Sequence, residues 1–135
     1  MIEARLKEVP FFSSLKHSEL QFLAQSVDEV DVREGEVLAR EGDTGREFFV
    51  ILDGTVVVRR GEEQLAELGP GDFFGEMALL EDHPRMATVT VTAPGRVAVM
   101  TRQAFRSVDR SMPAVHARIV DAIQERRAAT PTQGN

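Results

Sequence analysis

The amino-acid sequence predicts a mainly β domain with flanking helices, of an antiparallel sandwich, barrel or jelly-roll type. Two features of the sequence indicate this class. Short runs with β-strand alternation follow one another between residues 27 and 100, separated by glycine turns. Both ends of the chain instead carry apolar residues at helical spacing. With 135 residues, the chain has the length of one domain that can bury a substantial core.

The N-terminal segment, 1–26, is predicted to be helical. Apolar residues at helical spacing mark two helices: Ile2, Leu6 and Val9 in the first, and Leu20, Leu23 and Val27 in the second. Pro10 interrupts the first helix. Ser18–Gln21 fits a capping box, in which Ser18 and Gln21 would satisfy the exposed backbone donors at the start of the second helix.

Runs of alternating or β-branched residues predict the strands 27–32, 36–40, 47–52, 55–59, 64–68, 87–92 and 96–100. Glycine-containing turns punctuate them. Asp53-Gly54 is the strongest hairpin signal, because this dipeptide suits the tight turns that join antiparallel strands. Ala93–Gly95 is expected to join the last two strands. Phe48 and Phe49 are neighbours on a strand, so only one can face inward and the other would pack under a helix.

The C-terminal part returns to helical spacing. Thr101 is expected to cap a short helix holding Ala104, Phe105 and Val108, and Pro113 suits the first turn of another. Val115, Ile119 and Ile123 form one apolar stripe on this last helix. Packing on the β-domain, a dimer seam and a ligand lid are three possible uses for the stripe, and packing is the commonest of them.

The composition excludes several kinds of site. Cysteine is absent, which removes disulfides and thiolate chemistry. Tyr and Trp are absent as well, and the net charge of −6 argues against a nucleic-acid surface. The histidines His17, His83 and His116 are too widely spaced to predict a metal site. No long apolar run predicts a membrane span, and no signal peptide is visible, so a cytoplasmic location is the default expectation.

Segment 69–89 lies between the two strand regions and is neither a simple hairpin nor a full helix. Gly75 permits a close approach that a Cβ would block. Glu76–Leu80 can form one helical turn, whose first N–H groups would be open to an anion. Arg85 can bind a phosphate through paired charge-assisted hydrogen bonds, and Glu76 can accept one from a hydroxyl. This combination indicates a sugar phosphate as the ligand.

The order Phe74–Leu80 and then Pro84–Val89 resembles the phosphate-binding cassette of cyclic nucleotide-binding domains. Such domains occur in bacterial catabolite activator proteins, in regulatory subunits of cyclic-AMP-dependent protein kinase and in gated ion channels. Three further segments, Val9–Phe12, Gly35–Gly42 and Phe48–Gly54, resemble the family's N-terminal helices, early strands and turn. The resemblance covers roughly residues 9–125.

The resemblance implies a fold, an eight-stranded jelly-roll β-roll with flanking helices, and a set of site residues. Arg85 would bind the exocyclic oxygens of the cyclic phosphate, and Glu76 would accept a hydrogen bond from the ribose 2′-hydroxyl. Ala87 would pack close to the ligand. Backbone N–H groups would supply further donors, at Gly75, Met77, Ala78 and Met86. No metal or other cofactor is implied.

The resemblance also bears on the choice of nucleotide. Relatives that prefer cyclic GMP often carry Thr at the position of Met86, where its hydroxyl contacts guanine. Met cannot supply that hydroxyl, so cyclic AMP is the expected ligand and cyclic GMP the less favoured one. Relatives cap the base with a residue of the C-terminal helix, and the candidates here are Arg118, Ile119, Ile123 and Arg126.

Ordinary structural roles compete with these assignments. Arg85 could be a surface arginine paired with Glu81 or Asp82, although its place within the cassette favours phosphate. Glu76 could simply stabilise a helix dipole. Phe73 and Phe74 are expected to be core residues, not base-stacking ones.

The predicted organisation is a helical segment at 1–26, a β-roll at 27–100 with the cassette at 74–89, helices at 101–128 and a frayed tail at 129–135. We expect a receptor and not an enzyme, with a hinge near 101–113 through which the C-terminal helix moves. Its partner would be a protein effector in trans or a second copy bound through that helix. An interaction module that no longer binds nucleotide, and the ligand-binding fragment of a larger regulator, are the alternatives. No recognition helix for DNA is visible in the sequence.

Overall fold

The computed structural model describes residues 2–129 as a β-roll flanked by helices. The helices are α1 (Ile2–Lys7), α2 (His17–Ala24), α3 (Arg102–Ser111) and α4 (Pro113–Ala129), with 3₁₀ turns at Pro10–Phe12 and Glu76–Leu79. The strands are β1 (Asp28–Val32), β2 (Val37–Ala39), β3 (Thr44–Gly45), β4 (Glu47–Arg60), β5 (Glu63–Leu68), β6 (Phe73–Phe74), β7 (His83–Pro84) and β8 (Thr88–Thr101). Within 2–129, no helix has the length and apolar character needed to cross a bilayer. The tail predicted to fray lies, from residue 130 onward, outside the described residues.

The eight strands confirm the β-roll class, and all of their pairings are antiparallel. The main sheet runs in the order β1-β8-β4-β5, with β2 added on β8 and β6 on β4. The short strands β3 and β7 form a separate pair. The two long strands, β4 and β8, therefore hold the roll together, and the remaining strands are added along them.

The predicted hairpin at Asp53-Gly54 is wrong, and so is the predicted turn at Ala93–Gly95. Both segments lie inside continuous strands, β4 and β8, and face each other across a shared irregularity in the register. Gly54 has φ +90°, and an added Cβ there would lie 2.6 Å from the carbonyl oxygen of Ala93. A Cβ on Gly95 would overlap the Asp53 carbonyl. The glycines thus allow two strands to bend together at close range, where the sequence signal predicted a chain reversal.

The two faces of β4 enter two separate hydrophobic clusters. Phe48, with 1% of its surface exposed, contacts the rings of Phe11, Phe12 and Phe73 at centroid distances of 6.0, 6.1 and 5.9 Å. This cluster lies beneath the helices. Phe49 faces the inside of the roll and stacks on Phe74 at 4.7 Å. The alternation confirms that one of the adjacent phenylalanines faces into the roll and the other packs under the helices.

The helix boundaries partly follow the sequence signals. Thr101 caps α3 as predicted, because its Oγ1 accepts a hydrogen bond from the N–H of Ala104 at 3.0 Å. The predicted capping box at Ser18–Gln21 is wrong. The α2 helix begins at His17, so its N-cap residue is Lys16, two residues before Ser18, and the N–H of Lys16 donates to Oε1 of Glu19 at 2.8 Å. The apolar stripe of α4 packs on the chain's own core, with Val115, Ile119 and Ile123 at most 4% exposed.

The shared bend of β4 and β8 yields a stability prediction. Gly95→Ala should destabilise the fold by about 1–3 kcal/mol, because the new methyl group overlaps backbone that cannot move away without breaking the strand pairing. Thermal unfolding should show a melting temperature lower by roughly 4 °C per kcal/mol. Gly69→Ala is the matched control, since nothing lies within 4 Å of a Cβ at that position. Equal melting temperatures for the two variants would contradict the shared-bend interpretation.

Candidate functional site

Arg85 is the buried centre of the candidate site. Its residue surface is only 6% exposed, and its Nη2 donates to the carbonyl oxygen of Glu47 at 2.7 Å. The backbone of Arg85 is also fixed, because its N–H donates to Asp43 O at 2.7 Å and its carbonyl accepts from the N–H of Gly42 at 2.8 Å. These bonds place the guanidinium at the corner between β3 and β4.

Two glycines make room for the Arg85 side chain. A Cβ on Gly75 would lie 2.6 Å from Nη1 of Arg85 and 2.8 Å from Glu47 O. A Cβ on Gly45 would lie 2.6 Å from Nε of the same arginine. Gly75 also has φ +86°, a conformation that side-chain-bearing residues rarely adopt. The guanidinium therefore passes between two backbone segments that must both carry glycine.

The alternative in which Arg85 pairs with Glu81 or Asp82 is wrong. Asp82 forms its ion pair with Arg102 instead. Among the described residues, no carboxylate lies within ion-pair distance of Arg85. Burial lowers the pKa of Arg85, and the nearby charges of Glu47 and Glu76 oppose that shift. Because a guanidinium has five N–H donors and the Glu47 carbonyl uses one of them, donors remain for an anion.

Glu76 begins the 3₁₀ turn that we call the cassette helix (Glu76–Leu79). Its side chain is partly buried, and this burial raises its pKa above the ordinary value of 4.5. A hydrogen bond from its own backbone N–H and the positive charges of Arg126 and Arg85 lower the pKa of Glu76 and partly offset the effect of burial. A carboxylate that is poorly hydrated and lies near two guanidinium groups is a ready acceptor for a hydroxyl group.

The remaining predicted ligand residues differ in their accessibility. Met86 is 43% exposed, whereas Ala87 is 1% exposed and packs inside the roll. The N–H of Ala78 donates to the carbonyl of Gly75 at 3.1 Å, so the turn itself occupies this donor. The N–H of Met77 has no backbone acceptor among the described residues. The structure thus groups Gly75, Glu76, Met77 and Arg85 at one end of the roll.

The C-terminal helix places the candidate lid residues in different surroundings. Ile119 and Ile123 are 0% and 1% exposed in the core beneath the helices, and Nη2 of Arg118 pairs with Glu19 Oε2 at 2.7 Å. Ile119 and Ile123 share that core cluster with Met77 and Leu79 of the cassette helix, whereas Arg118 is held by its ion pair with α2. Arg126 lies near the start of the cassette, since its guanidinium carbon lies 5.2 Å from the ring centroid of Phe73 and 5.9 Å from that of Phe11.

Arg102 is a residue of the site region that the sequence reasoning did not single out. It is the first residue of α3, and its side chain donates to Ala78 O at 2.7 Å and to Glu81 O at 2.9 Å. One sequence signal was present. A cation in the first turn of a helix is disfavoured by that helix's own dipole, so its presence there indicates a partner outside α3.

The raised pKa of Glu76 gives a second prediction. Because the folded state holds this proton more tightly than the unfolded state, the stability it contributes is greatest below pH 4.5 and is lost as the pH rises through the raised pKa. Glu76→Gln stays neutral at every pH. We therefore expect it to have a higher melting temperature than the wild type at pH 7, without nucleotide, and a difference that shrinks as the pH falls through the raised pKa towards 4.5.

The control is Glu63→Gln, at an exposed position of β5. It should leave the melting temperature unchanged across the same pH series. A Glu76→Gln variant less stable than the wild type at pH 7 would show that the two arginines outweigh the burial of the carboxylate.

Comparisons with known proteins match most of this chain. The family model described as cyclic nucleotide-binding domain matches residues 29–111. A cAMP-dependent protein kinase regulatory subunit from Hypocrea atroviridis is 39% identical over 106 residues, which are 78% of this chain and 23% of that protein. The chain spans about a quarter of the length of such curated relatives.

Solved structures are similar over most of the chain. The N-terminal domain of a transcriptional regulator from Streptomyces coelicolor superposes with a TM-score of 0.84 at 26% identity, covering 94% of this chain and 92% of that one. The regulatory domain of Toxoplasma gondii PKA, crystallised with cAMP, has a TM-score of 0.71 at 32% identity and covers 78% and 42% of the two chains. The chain belongs to the cyclic nucleotide-binding domain family.

Proposed function

We propose that this chain is a non-catalytic regulatory module that senses cyclic AMP. The observation that carries the proposal is the buried guanidinium of Arg85, which has unused donors and no carboxylate partner among the described residues, next to the carboxylate of Glu76. A buried, uncompensated charge is costly unless a ligand of opposite sign binds to it. A cyclic phosphate carries one negative charge, and the ribose beside it carries the hydroxyl that Glu76 can bind.

The residue roles follow from this placement. Arg85 would hold the exocyclic oxygens of the phosphate, and the N–H groups of Gly75 and Met77 would add backbone donors. Ala87 would limit the depth of the site, because its methyl group is already packed inside the roll. Arg126 would approach the ribose and base from α4, and its position over the ring of Phe73 and its lowering effect on the pKa of Glu76 support this role.

The C-terminal helices are the proposed output. Nucleotide binding would shift the equilibrium between two positions of α3 and α4, with a hinge near 101–113. The effector would be another protein, or a second copy of this chain. Because the stripe of Val115, Ile119 and Ile123 is buried within the chain, a dimer through α4 would use the exposed face of that helix.

Removing Arg85 should abolish most nucleotide binding. We expect Arg85→Ala to cost about 2–5 kcal/mol of cyclic AMP binding free energy, a roughly 30-fold to several-thousand-fold weaker affinity, because the phosphate loses its charged partner in a buried site. Isothermal titration calorimetry with cyclic AMP measures the loss. Arg85→Lys keeps the charge without the planar fork and should bind with intermediate affinity.

The matched control is Arg59→Ala, since Arg59 is exposed and its guanidinium donates to Gln64 Oε1, away from the assigned site residues. It should bind cyclic AMP like the wild type. A thermal-shift series on the wild type separates the proposal from an interaction module without nucleotide, because a ligand at 100 times its Kd adds about 2.7 kcal/mol of stability. No shift with millimolar cyclic AMP or cyclic GMP would refute the proposed function.

Met86 yields a prediction on nucleotide choice. Its side chain is 43% exposed, so substitution should not disturb the core. Met86→Thr introduces a hydroxyl beside the proposed base position, and one hydrogen bond contributes about 0.5–1.5 kcal/mol. We expect the affinity for cyclic GMP to rise by up to about tenfold relative to cyclic AMP.

Met86→Val is the control for this substitution, because Val has the shape of Thr without the hydroxyl. Competition of both nucleotides for one fluorescent analogue gives the ratio directly. If the Val variant changes the ratio as much as the Thr variant does, the effect is one of shape, and the hydroxyl explanation fails.

A further inference from the structure

We propose that Arg102 is a positioning residue that links the cassette helix to α3 and so couples nucleotide binding to the C-terminal helices. The inference deepens the proposed function and rests on it. Arg102 contacts no side chain assigned to the nucleotide, and its effect would act through the backbone that it holds, which includes the carbonyl of Ala78.

The contacts of Arg102 reach three different segments. Its guanidinium donates to Ala78 O at 2.7 Å, to Glu81 O at 2.9 Å and to Gly45 O at 3.1 Å, and it forms an ion pair with Asp82. Its side chain is only 12% exposed. One side chain thus bridges the end of the cassette helix, the segment after it and the corner between β3 and β4.

The carbonyls that Arg102 binds explain why an arginine is placed there. The last carbonyls of a short helix lack partners within the helix, and a cation at that end is favoured electrostatically. The cassette helix offers Ala78 O and the following turn offers Glu81 O. Only a planar group with several donors satisfies such divergent acceptors at once, so Lys cannot replace it in full.

Arg85 and Arg102 hold the same corner of the roll. Arg85 binds Glu47 O at 2.7 Å. The side chain of Arg102 binds Gly45 O at 3.1 Å, and its backbone N–H binds the carbonyl of Arg46 at 2.9 Å. Three successive carbonyls are therefore fixed by two arginines, one proposed to hold the phosphate and the other starting α3. A phosphate that repositions Arg85 must act on the segment that also fixes α3.

Two clefts border the first turn of α3 and would allow this turn to move when nucleotide binds. A cleft of about 610 Å³ lined by Arg46, Asp82 and Arg106 lies beside Arg102. A second cleft of about 330 Å³, lined by Leu79, Phe105 and His116, also borders it. Further along α3, Phe105 and Val108 are 1% and 0% exposed in the same core cluster as the apolar stripe of α4. The first turn of α3 is thus held by Arg102, and the rest of α3 packs in the core it shares with α4.

Hydrogen–deuterium exchange on the full chain, without nucleotide and with saturating cyclic AMP, tests the link between the cassette helix and α3. Without nucleotide, Arg102→Lys should raise exchange in the cassette helix and in the first turn of α3 together, by at least threefold. With saturating cyclic AMP, the wild type should gain protection in the cassette and in α3–α4. Arg102→Lys should keep the cassette protection but lose at least two-thirds of the response in α3–α4, with less than a tenfold loss of affinity.

Two controls separate this role from simple stabilisation. Arg110→Ala removes a positive charge from the exposed C-terminal end of the same helix, where Arg110 donates to Ser107 and lines neither cleft, and it should exchange like the wild type in both states. Asp82→Asn removes only the ion-pair partner, and it should give an intermediate α3–α4 response that still tests the link if Arg102→Lys fails to fold. Melting temperatures without nucleotide report any general loss of stability.

The outcomes are distinguishable. Unchanged exchange of the cassette helix and α3 in nucleotide-free Arg102→Lys overturns the link, whether or not the protein binds nucleotide. A full α3–α4 response to cyclic AMP in that variant overturns the coupling role. If the wild type shows no protection with cyclic AMP or cyclic GMP, the proposed function fails, whereas joint loosening without nucleotide would still support the structural link.

Discussion

The burial of one guanidinium is the constraint on which the candidate site depends. Arg85 lies inside the roll with a backbone carbonyl as its side-chain acceptor, and no carboxylate within ion-pair distance among residues 2–126. Gly45 and Gly75 carry no side chain because the guanidinium occupies that space. The left-handed turn at Gly75 then starts the cassette helix, which places Glu76 beside the arginine. Loss of the arginine would leave each of these features without a physical reason.

The sheet topology brings these residues together although they are distant in sequence. β4 begins at Glu47, immediately after β3, and its first residues pair with β6 through Phe49 and Phe74. That pairing places Gly75 next to Glu47 O, where a Cβ would lie 2.8 Å away. The pairing of β3 with β7 delivers Arg85 to the same corner from the other direction. Two short pairings around one strand end therefore build the site.

Local features of the sequence were sufficient to predict the Thr101 cap and the opposite facing of Phe48 and Phe49, because each depends on neighbouring residues. The bend at Asp53-Gly54 could not be predicted in this way. A glycine with positive φ serves a hairpin and a strand bend equally well, and the choice is made by β8 lying opposite. The surroundings of Arg118 and Arg126 depend on how α4 docks, which helical periodicity does not specify. Arg102 was missed because its acceptors are backbone carbonyls, which have no residue signature.

The acidic composition and the anion site are compatible because they act on different scales. The net charge of −6 sets the long-range field, which salt screens within about 10 Å and which disfavours a polyanion. The site is a short-range arrangement in a poorly hydrated interior, where one guanidinium and a few N–H groups act at hydrogen-bond distance. Glu76 tempers the positive charge there, so we expect the proposed site to favour a ligand that presents an anion to Arg85 and a hydroxyl to Glu76 together. An inorganic anion would bind Arg85 but offer no hydroxyl donor to Glu76. A neutral sugar would offer a hydroxyl to Glu76 but no anion to Arg85.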